Sequence, residues 1–502
     1  MKNKLFLTCL FTLLNSYCFA QCIDVDLTFG NDGFISNNAT STTPMPFYTA
    51  IPTADNKILS TDSQTVSRFN DNGSIDTSFG INGTVTFTNY FFINKIIVVG
   101  TDCYVIGYQD GQFTGNPTTY TNIKIAKIDT NGNVTSFPPF DFGENEYGID
   151  IALTSDNKLM AACWKWGGGW EKLFLLKLNL DGTVDTTFQN NGTKEIYLFP
   201  QKTHVERIFN YDNKLLIVCT GYFGSNRDIG LVKMDENGNL DTTFNGTGTA
   251  FFDNGSLERV WEVKLKNNIV YARLNDGDNI NNRIASYNLN TLTLQTPIHL
   301  NYSVNFYGEK FIVNDDNRIM TVAISDSCLS CNKDSILIKY LPNGTLDTSF
   351  CSGGIQPFNI SYANNYIVDD QKNYIFRIGT DKILITGTYS IPYSGGASPA
   401  PQYVACVRFV PGNLATTNFK DNKLILSPNP SDSNLTLKLK NNIGGNVTMQ
   451  IFNSLGQLIK QDIIDMAANS VTISVADLAT DFYLIKIQDA EGNYYNSKFL
   501  KK

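Results

Sequence analysis

Histidine is nearly missing from this chain: His204 and His299 are the only two in 502 residues. Neither lies in a nucleophile motif, which argues against a serine or cysteine hydrolase with a histidine base. A histidine-built metal centre is equally poorly supplied, and no cofactor signature is present. Charge is sparse at 17%, with a net of −8. Phosphate binding needs a concentrated positive field, so this balance argues against a nucleic-acid partner. Helical periodicity of useful length is absent. Beyond the N-terminus no apolar run approaches the ~18 residues of a membrane span, so no transmembrane segment is expected.

What remains favours strands. Hydrophobic residues make up 42% and aromatics 12%, alongside plentiful Asn, Thr and Gly. The start "MKNKLFLTCLFTLLNSYCFAQ" has Lys2 and Lys4, an apolar run over 5–14 and a small-residue end at Ala20. It reads as a signal peptide over 1–20. A lipid anchor on Cys22 competes with that reading, but Gln21 stands where lipoprotein processing wants a small residue. Eight cysteines follow the cleavage point, and export permits disulfides. Cys328 and Cys331 could bond each other, or either could reach Cys351. Cys163 and Cys219 sit five residues past Lys158 and Lys214 and read as buried thiols.

A repeated octamer organises the chain. "NGSIDTSF" (72–79), "DGTVDTTF" (181–188), "NGNLDTTF" (237–244) and "NGTLDTSF" (343–350) are near-copies, and "DVDLTF" (24–29) is a fragment. Each Phe is followed four residues later by Gly: Phe29/Gly33, Phe79/Gly83, Phe188/Gly192, Phe244/Gly248 and Phe350/Gly354. The two long intervals are nearly twice the short ones. Each should therefore hide a degenerate copy, at "IDTNGNVTSF" (128–137) and "YNLNTLTLQTPIHL" (287–300). Every period holds an alternating apolar run, an Asp-Asn-Lys-type turn read as a two-residue hairpin, two more runs, the octamer and a short fourth strand. In the octamer, Asp76, Asp185, Asp241 and Asp347 should accept backbone N–H groups in Asx-type turns. The Phe is an apolar plug, and the later Gly takes a conformation other residues avoid. Calcium ligation by the Asp-rich turn is disfavoured, because neither an EF-hand glutamate nor flanking helices are present.

Four strands per period of this length indicate a β-propeller. Seven trios of inner strands can be placed, but only six fourth strands follow them. The seventh trio, near Val407, lacks a partner that "FGNDGFIS" (29–36) can supply. The expectation is an all-β fold, a seven-bladed β-propeller closed by the N-terminal strand near Phe34, which leaves no exposed sheet edge. The pattern resembles the delta-60 repeat family of bacterial surface and secreted proteins. That resemblance covers most of 24–419 and implies a propeller over 21–420, with no common reaction.

Past Phe419 a small β-sandwich is expected over 421–502, opened by Pro428 and Pro430. "SPNP" (427–430), "FNSLGQ" (452–457), "DLA" (477–479), "YLIKI" (483–487) and the final lysines carry a second resemblance. They are similar to the C-terminal sorting domain of the type IX secretion system in Bacteroidetes, although Asp481 stands where glycine is usual. The resemblance implies the type IX machinery as a partner, and a secreted or outer-membrane-surface location.

Candidates for chemistry are few. "CWKWGGGWEK" (163–172) holds Trp164, Trp166 and Trp170, which could stack on sugar or anchor a protein. They could equally pack along a blade. "GENEYGID" (143–150) is the densest carboxylate cluster. A non-enzymatic binding or adhesion module with a glycan or surface-protein ligand is therefore expected. The alternative is a secreted polysaccharide hydrolase or lyase, which would need charged groups or tyrosines converging on the channel.

Overall fold

The computed structural model describes residues 22–38, 49–89, 91–111, 120–167, 170–200, 202–223, 226–253, 259–275, 283–300, 310–324, 335–351, 353–358, 369–390, 402–411, 424–439, 445–453, 458–466, 470–488 and 494–502. The chain divides into two compact units, Met1–Pro411 and Gly412–Lys502. Among the described residues all regular structure is strand, so the all-β reading holds. The expected signal peptide, Cys328 and Cys331 lie outside the described residues.

In the first unit the strands form seven antiparallel sheets, numbered in chain order: I (49–86), II (91–136), III (145–196), IV (203–252), V (259–299), VI (311–358) and VII (369–411 with 23–38). In I to VI the strands pair in the order in which they occur, except that in V both Thr293–Leu294 and Ile298–His299 pair with Arg283–Asn288. Sheet VII ends differently. Ile23–Val25 and Phe34–Asn38 both pair antiparallel with Gln402–Pro411, and Phe34 lies opposite Val407. The fragment that had no trio before it thus completes the last trio.

The middle strands are buried in near-continuous runs, such as Ile58–Thr61 and Lys214–Phe223, so both faces of the sheets are covered, and seven clusters join the sheets in pairs. Leu59 and Val66 of I meet Phe91 and Val105 of II, and Ile106 of II meets Ile151 and Leu176 of III. Further clusters link III with IV, IV with V, V with VI and VI with VII. The last links VII with I, where Tyr374, Phe376 and Leu384 meet Ala50, Ile58 and Phe69.

The turns differ from the two-residue hairpin expected. Of the four Asp-Asn turns, one has two positive-φ residues, Asp212 and Asn213, with Tyr211 directly opposite Lys214; Asn267 and Asn268 of sheet V make a second such hairpin, with Lys266 opposite Ile269. In three further turns the Thr53, Thr154 and Asn314 N–H groups donate to the carbonyls of Lys57, Lys158 and Arg318, and only Asn56, Asn157 and Asn317 are left-handed. These are three-residue loops, a type I turn closed by one αL residue.

The second unit is two antiparallel sheets. Leu424–Ser427, Asn434–Leu439 and Ser470–Ser474 form one; Leu458–Asp465, Asn446–Phe452, Asp481–Gln488 and Tyr494–Lys501 form the other. Leu435 and Leu437 of the first pack with Met449, Ile451, Ile485 and Phe499 of the second. Residues 454–457 fall outside the described residues, and the strands flanking them, Asn446–Phe452 and Leu458–Asp465, pair antiparallel.

Candidate functional site

The octamer's chemistry is tighter than an Asx turn. Asp76 Oδ1 accepts from Ser78 N and Oγ at 3.2 and 2.6 Å, as expected. Its other oxygen takes Lys57 Nζ and Arg68 Nε, each at 2.7 Å. Burial works against this carboxylate's charge, but Lys57, Ser78 and Arg68 overcome it and hold its pKa well below the usual range. Asp185 binds Lys158 at 2.7 Å and is held down to about 2 against the same burial. Asp241 binds Lys214 at 2.6 Å and Asp347 binds Arg318 at 3.2 Å. The hairpin cation and the octamer aspartate are therefore one device, which fastens the first hairpin of a sheet to its outer turn.

The plugs are Phe79, Phe188, Phe244 and Phe350, all buried, and a third-strand cation caps three of them. Arg68 lies 4.6 Å from the Phe79 ring centre, with Lys177 over Phe188 and Lys339 over Phe350. The later glycines Gly83, Gly192, Gly248 and Gly354 have φ of 91°, 97°, 82° and 99°, which side chains resist. The Gly opening the octamer serves the neighbouring sheet. A Cβ on Gly73 would stand 2.8 Å from the Phe29 ring, and Gly80 N donates to Asn131 O at 2.8 Å. The opening glycines Gly73, Gly182 and Gly238 thus abut Phe29, Phe137 and Phe188 of the preceding sheet, while Gly344 meets Ile298.

The first strands of the sheets carry a second constellation. Phe91–Val99, Asn145–Leu153, Thr203–Tyr211 and Arg259–Lys266 stand side by side, and each has a register shift at its centre. The residue after the shift is charged in all four: Lys95, Asp150, Arg207 and Glu262. Lys95 Nζ is 3.4 Å from Asp150, Arg207 is 3.6 Å from Glu262, and Lys264 is 2.7 Å from Glu262. Asp150 Oδ2 also accepts Ile208 N at 3.0 Å, tying sheet III to IV. Burial depresses the Lys95 pKa, while Asp150 and Glu262 oppose that and Arg207 and Lys264 add to it. Lys310, at the start of the same strand position in sheet VI, is pushed down to about 8 by burial, and Lys95 is among the charges acting on it. Groups from five sheets therefore share one interior space. The cations Lys95, Arg207 and Lys264 are 31%, 24% and 40% exposed, whereas Asp150 and Glu262 are 2% and 5% exposed.

The tryptophans do not converge. Trp164 stacks on Tyr147 with ring centres 4.4 Å apart and lies 5.2 Å from His204. Trp166 and Trp170 are 49% and 52% exposed at the tip of a hairpin. Trp170 stands opposite Gly167, so alternation puts it on the face away from Trp164 and Trp166. His204 sits 3.6 Å from Glu206, whose carboxylate also accepts Thr220 Oγ1 at 2.8 Å. Glu146 and Asp150, from the acidic cluster, project from opposite faces of one strand because the register shift falls between them. They cannot flank one sugar ring.

The one disulfide among the described residues joins Cys22 to Cys351. This corrects the expectation that Cys328 or Cys331 could reach Cys351, and it removes the competing lipid anchor, since a lipidated sulfur cannot also form a disulfide. Cys163 and Cys219 are buried, and burial raises both thiol pKa values.

Residues 426–502 match the secretion system C-terminal sorting domain. Residues 154–188, 212–244 and 316–350 match a β-propeller domain of unknown function, DUF5122. The chain thus carries a secretion sorting domain and a repeated β-propeller domain, and matches a secretion-sorted propeller repeat protein. The three propeller matches each run from a hairpin turn to an octamer Phe, the span the aspartate–cation pairs bridge.

No curated protein matches the sequence. Among solved structures, a protein of unknown function from Bacteroides caccae is 9% identical over 60% of this chain and 92% of its own, with a TM-score of 0.35. Polysaccharide lyase Uly1 is 11% identical over 76% and 93%, with a TM-score of 0.44. A complex of KlAtg21 with the coiled-coil of AgAtg16 gives 12% over 70% and 96%, with a TM-score of 0.40. At these scores none of the three carries an argument about function.

Sequence reasoning picked out Asp150 within 143–150 but missed Lys95, Arg207, Glu262 and Lys310. A signal was present: one ionisable residue precedes each hairpin at a near-constant distance, Asp150 before Lys158, Arg207 before Lys214 and Lys310 before Arg318. The sorting domain implies export by the type IX system to the cell surface or beyond. Among the described residues no helix is long and apolar enough to cross a membrane.

Proposed function

We propose that this protein is a non-catalytic binding module, made with a signal peptide over 1–20 and delivered to the cell surface by its 421–502 tail. In this reading 21–420 form a seven-bladed ring closed by the N-terminal strands. Seven inter-sheet clusters support that ring, the last joining sheet VII to sheet I, together with the Phe34–Val407 pairing. One observation carries the choice of binding over catalysis. The inner-strand carboxylates Asp150 and Glu262 are buried behind cations, so among the described residues of these strands no pair of solvent-facing acids flanks the shared space. A glycan or surface protein is the expected ligand, with exposed Trp166 and Trp170 as contacts.

The test is a screen of the full chain against glycans and cell-surface extracts, beside assays for reducing ends and unsaturated sugar products. Binding without product supports the reading. A W166A/W170A variant with unchanged binding would remove the hairpin from it. Deleting 426–502 should leave the protein in the periplasm; surface delivery of that variant would remove the sorting role.

A polysaccharide lyase is the second reading. Lys310, brought to about 8 and 5.8 Å from the Tyr374 ring centre, is a basic group close to neutrality. Turnover of a uronate polymer to unsaturated product, lost in K310Q, would favour it.

A further inference from the structure

The inner-strand charges are arranged asymmetrically. Asp150 spends both oxygens on protein: it accepts Ile151 N at 2.9 Å and Ile208 N at 3.0 Å, with Lys95 at 3.4 Å. Glu262 is held between Arg207 and Lys264. Both carboxylates are in the wall, and neither offers a free face. The cations are not used up in the same way. Four of them, Lys95, Arg207, Lys264 and Lys310, meet two carboxylates, leaving an excess of two positive charges among the described residues of the cluster. The Lys95, Arg207 and Lys264 side chains are partly exposed, and this local positive excess stands in a protein whose overall charge is −8. Stapling neighbouring sheets explains the Lys95–Asp150 and Arg207–Glu262 pairs. Lys264 adds a second cation to Glu262, at 2.7 Å, and Lys310 lies 5.1 and 5.8 Å from the Phe376 and Tyr374 ring centres, so both carry positive charge beyond those two staples.

We propose that Lys95, Arg207, Lys264 and Lys310 form a seat for an oxyanion, a carboxylate, sulfate or phosphate group, at the centre of the ring. This rests on the binding reading above and gives that module its ligand class. A planar guanidinium and three ammonium groups at fixed positions suit an anion with several oxygens. Asp150 and Glu262 orient the cations from behind, while low-dielectric walls strengthen their field in the shared space.

The experiment uses the full chain and measures binding by calorimetry to polygalacturonate, dextran sulfate and neutral dextran, with free sulfate and phosphate as separate probes. The proposal expects the two polyanions to bind and neutral dextran not to, with affinity falling as salt rises from about 0.05 to about 0.5 M. K264Q and K310Q should each weaken polyanion binding about tenfold, the usual scale for one charge-assisted contact. Their unfolding temperatures should stay near wild type, since Glu262 keeps Arg207. Competition by free sulfate or phosphate would identify a small-anion seat, and its absence a polymer-borne one; either supports the proposal. Polyanion binding unchanged in both variants would overturn the seat yet leave the binding module standing. No binding of any anion by the wild type would overturn the seat, and the surface-extract screen would then judge the module separately.

Discussion

The Asp26 carboxylate accepts a hydrogen bond from Arg408 Nε at 2.8 Å, the same bond that Asp76 makes with Arg68 Nε at 2.7 Å. In sheet I donor and acceptor are neighbours in sequence; in sheet VII they come from opposite ends of the propeller. Arg408 is wholly buried and its Nη1 also reaches Asp71 of sheet I. Removing the Asp26 charge would leave a buried guanidinium poorly paired. Asp26→Asn should therefore cost about 3 kcal/mol by urea unfolding, comparable to Asp76→Asn. Lys57→Met, which removes a partly exposed partner, should cost only about 1 kcal/mol. A negligible effect of Asp26→Asn would show that the N-terminal segment is not held.

The octamer aspartates set an acid limit. Their folded pKa values lie below the ordinary value of 3.8, with Asp185 at about 2. A depressed folded pKa contributes stability that is full above the unfolded value and lost as pH falls through the folded one. Unfolding temperature should hold down to about pH 4 and drop steeply between about pH 4 and 2. Asp185→Asn should flatten part of that drop.

Glu146 has the opposite sign. It is fully buried, and burial raises its pKa to about 7 from 4.5, against the hydrogen bond from Glu144 N. A raised carboxyl pKa means that the folded state loses stability as pH climbs from about 4.5 through about 7. Glu146→Gln should then stabilise by about 2 kcal/mol at pH 8 and by nothing at pH 4. Equal effects at both pH values would contradict this.

Cys22 and Cys351 tie the first described residue to the octamer of sheet VI. Beside them, Ile23 and the Gln356 side chain exchange two hydrogen bonds, at 3.0 and 2.7 Å. A Cys22→Ser/Cys351→Ser variant should lose about 2–4 kcal/mol. Reductant should lower wild-type stability to the variant's level and leave the variant unchanged.

Much of this fold was legible because the repeat exposes it. Turn residues such as Gly83 and Asn157 have local conformational demands, and the unmatched strand at Phe34 follows from counting. The aspartate–cation pairs were half legible: Asp185 was read for its turn, while Lys158 served only as a register mark. Lys95, Arg207 and Glu262 were hidden for a physical reason. A β-bulge turns the next side chain to the other face, so a simple alternation rule points these residues the wrong way. The Cys22–Cys351 bond was hidden because it depends on which two sheets meet, which spacing does not record.

Ring closure is tested most directly by hydrogen exchange on the intact oxidised protein, following the amides of residues 34–36 beside those of Ile383–Ile385. Because Phe34–Asn38 is paired with Gln402–Pro411, its bonded amides should exchange as slowly as those of Ile383–Ile385, opening only with global unfolding. Exchange of the 34–36 amides at the rate of a free terminus, with Ile383–Ile385 still protected, would contradict closure.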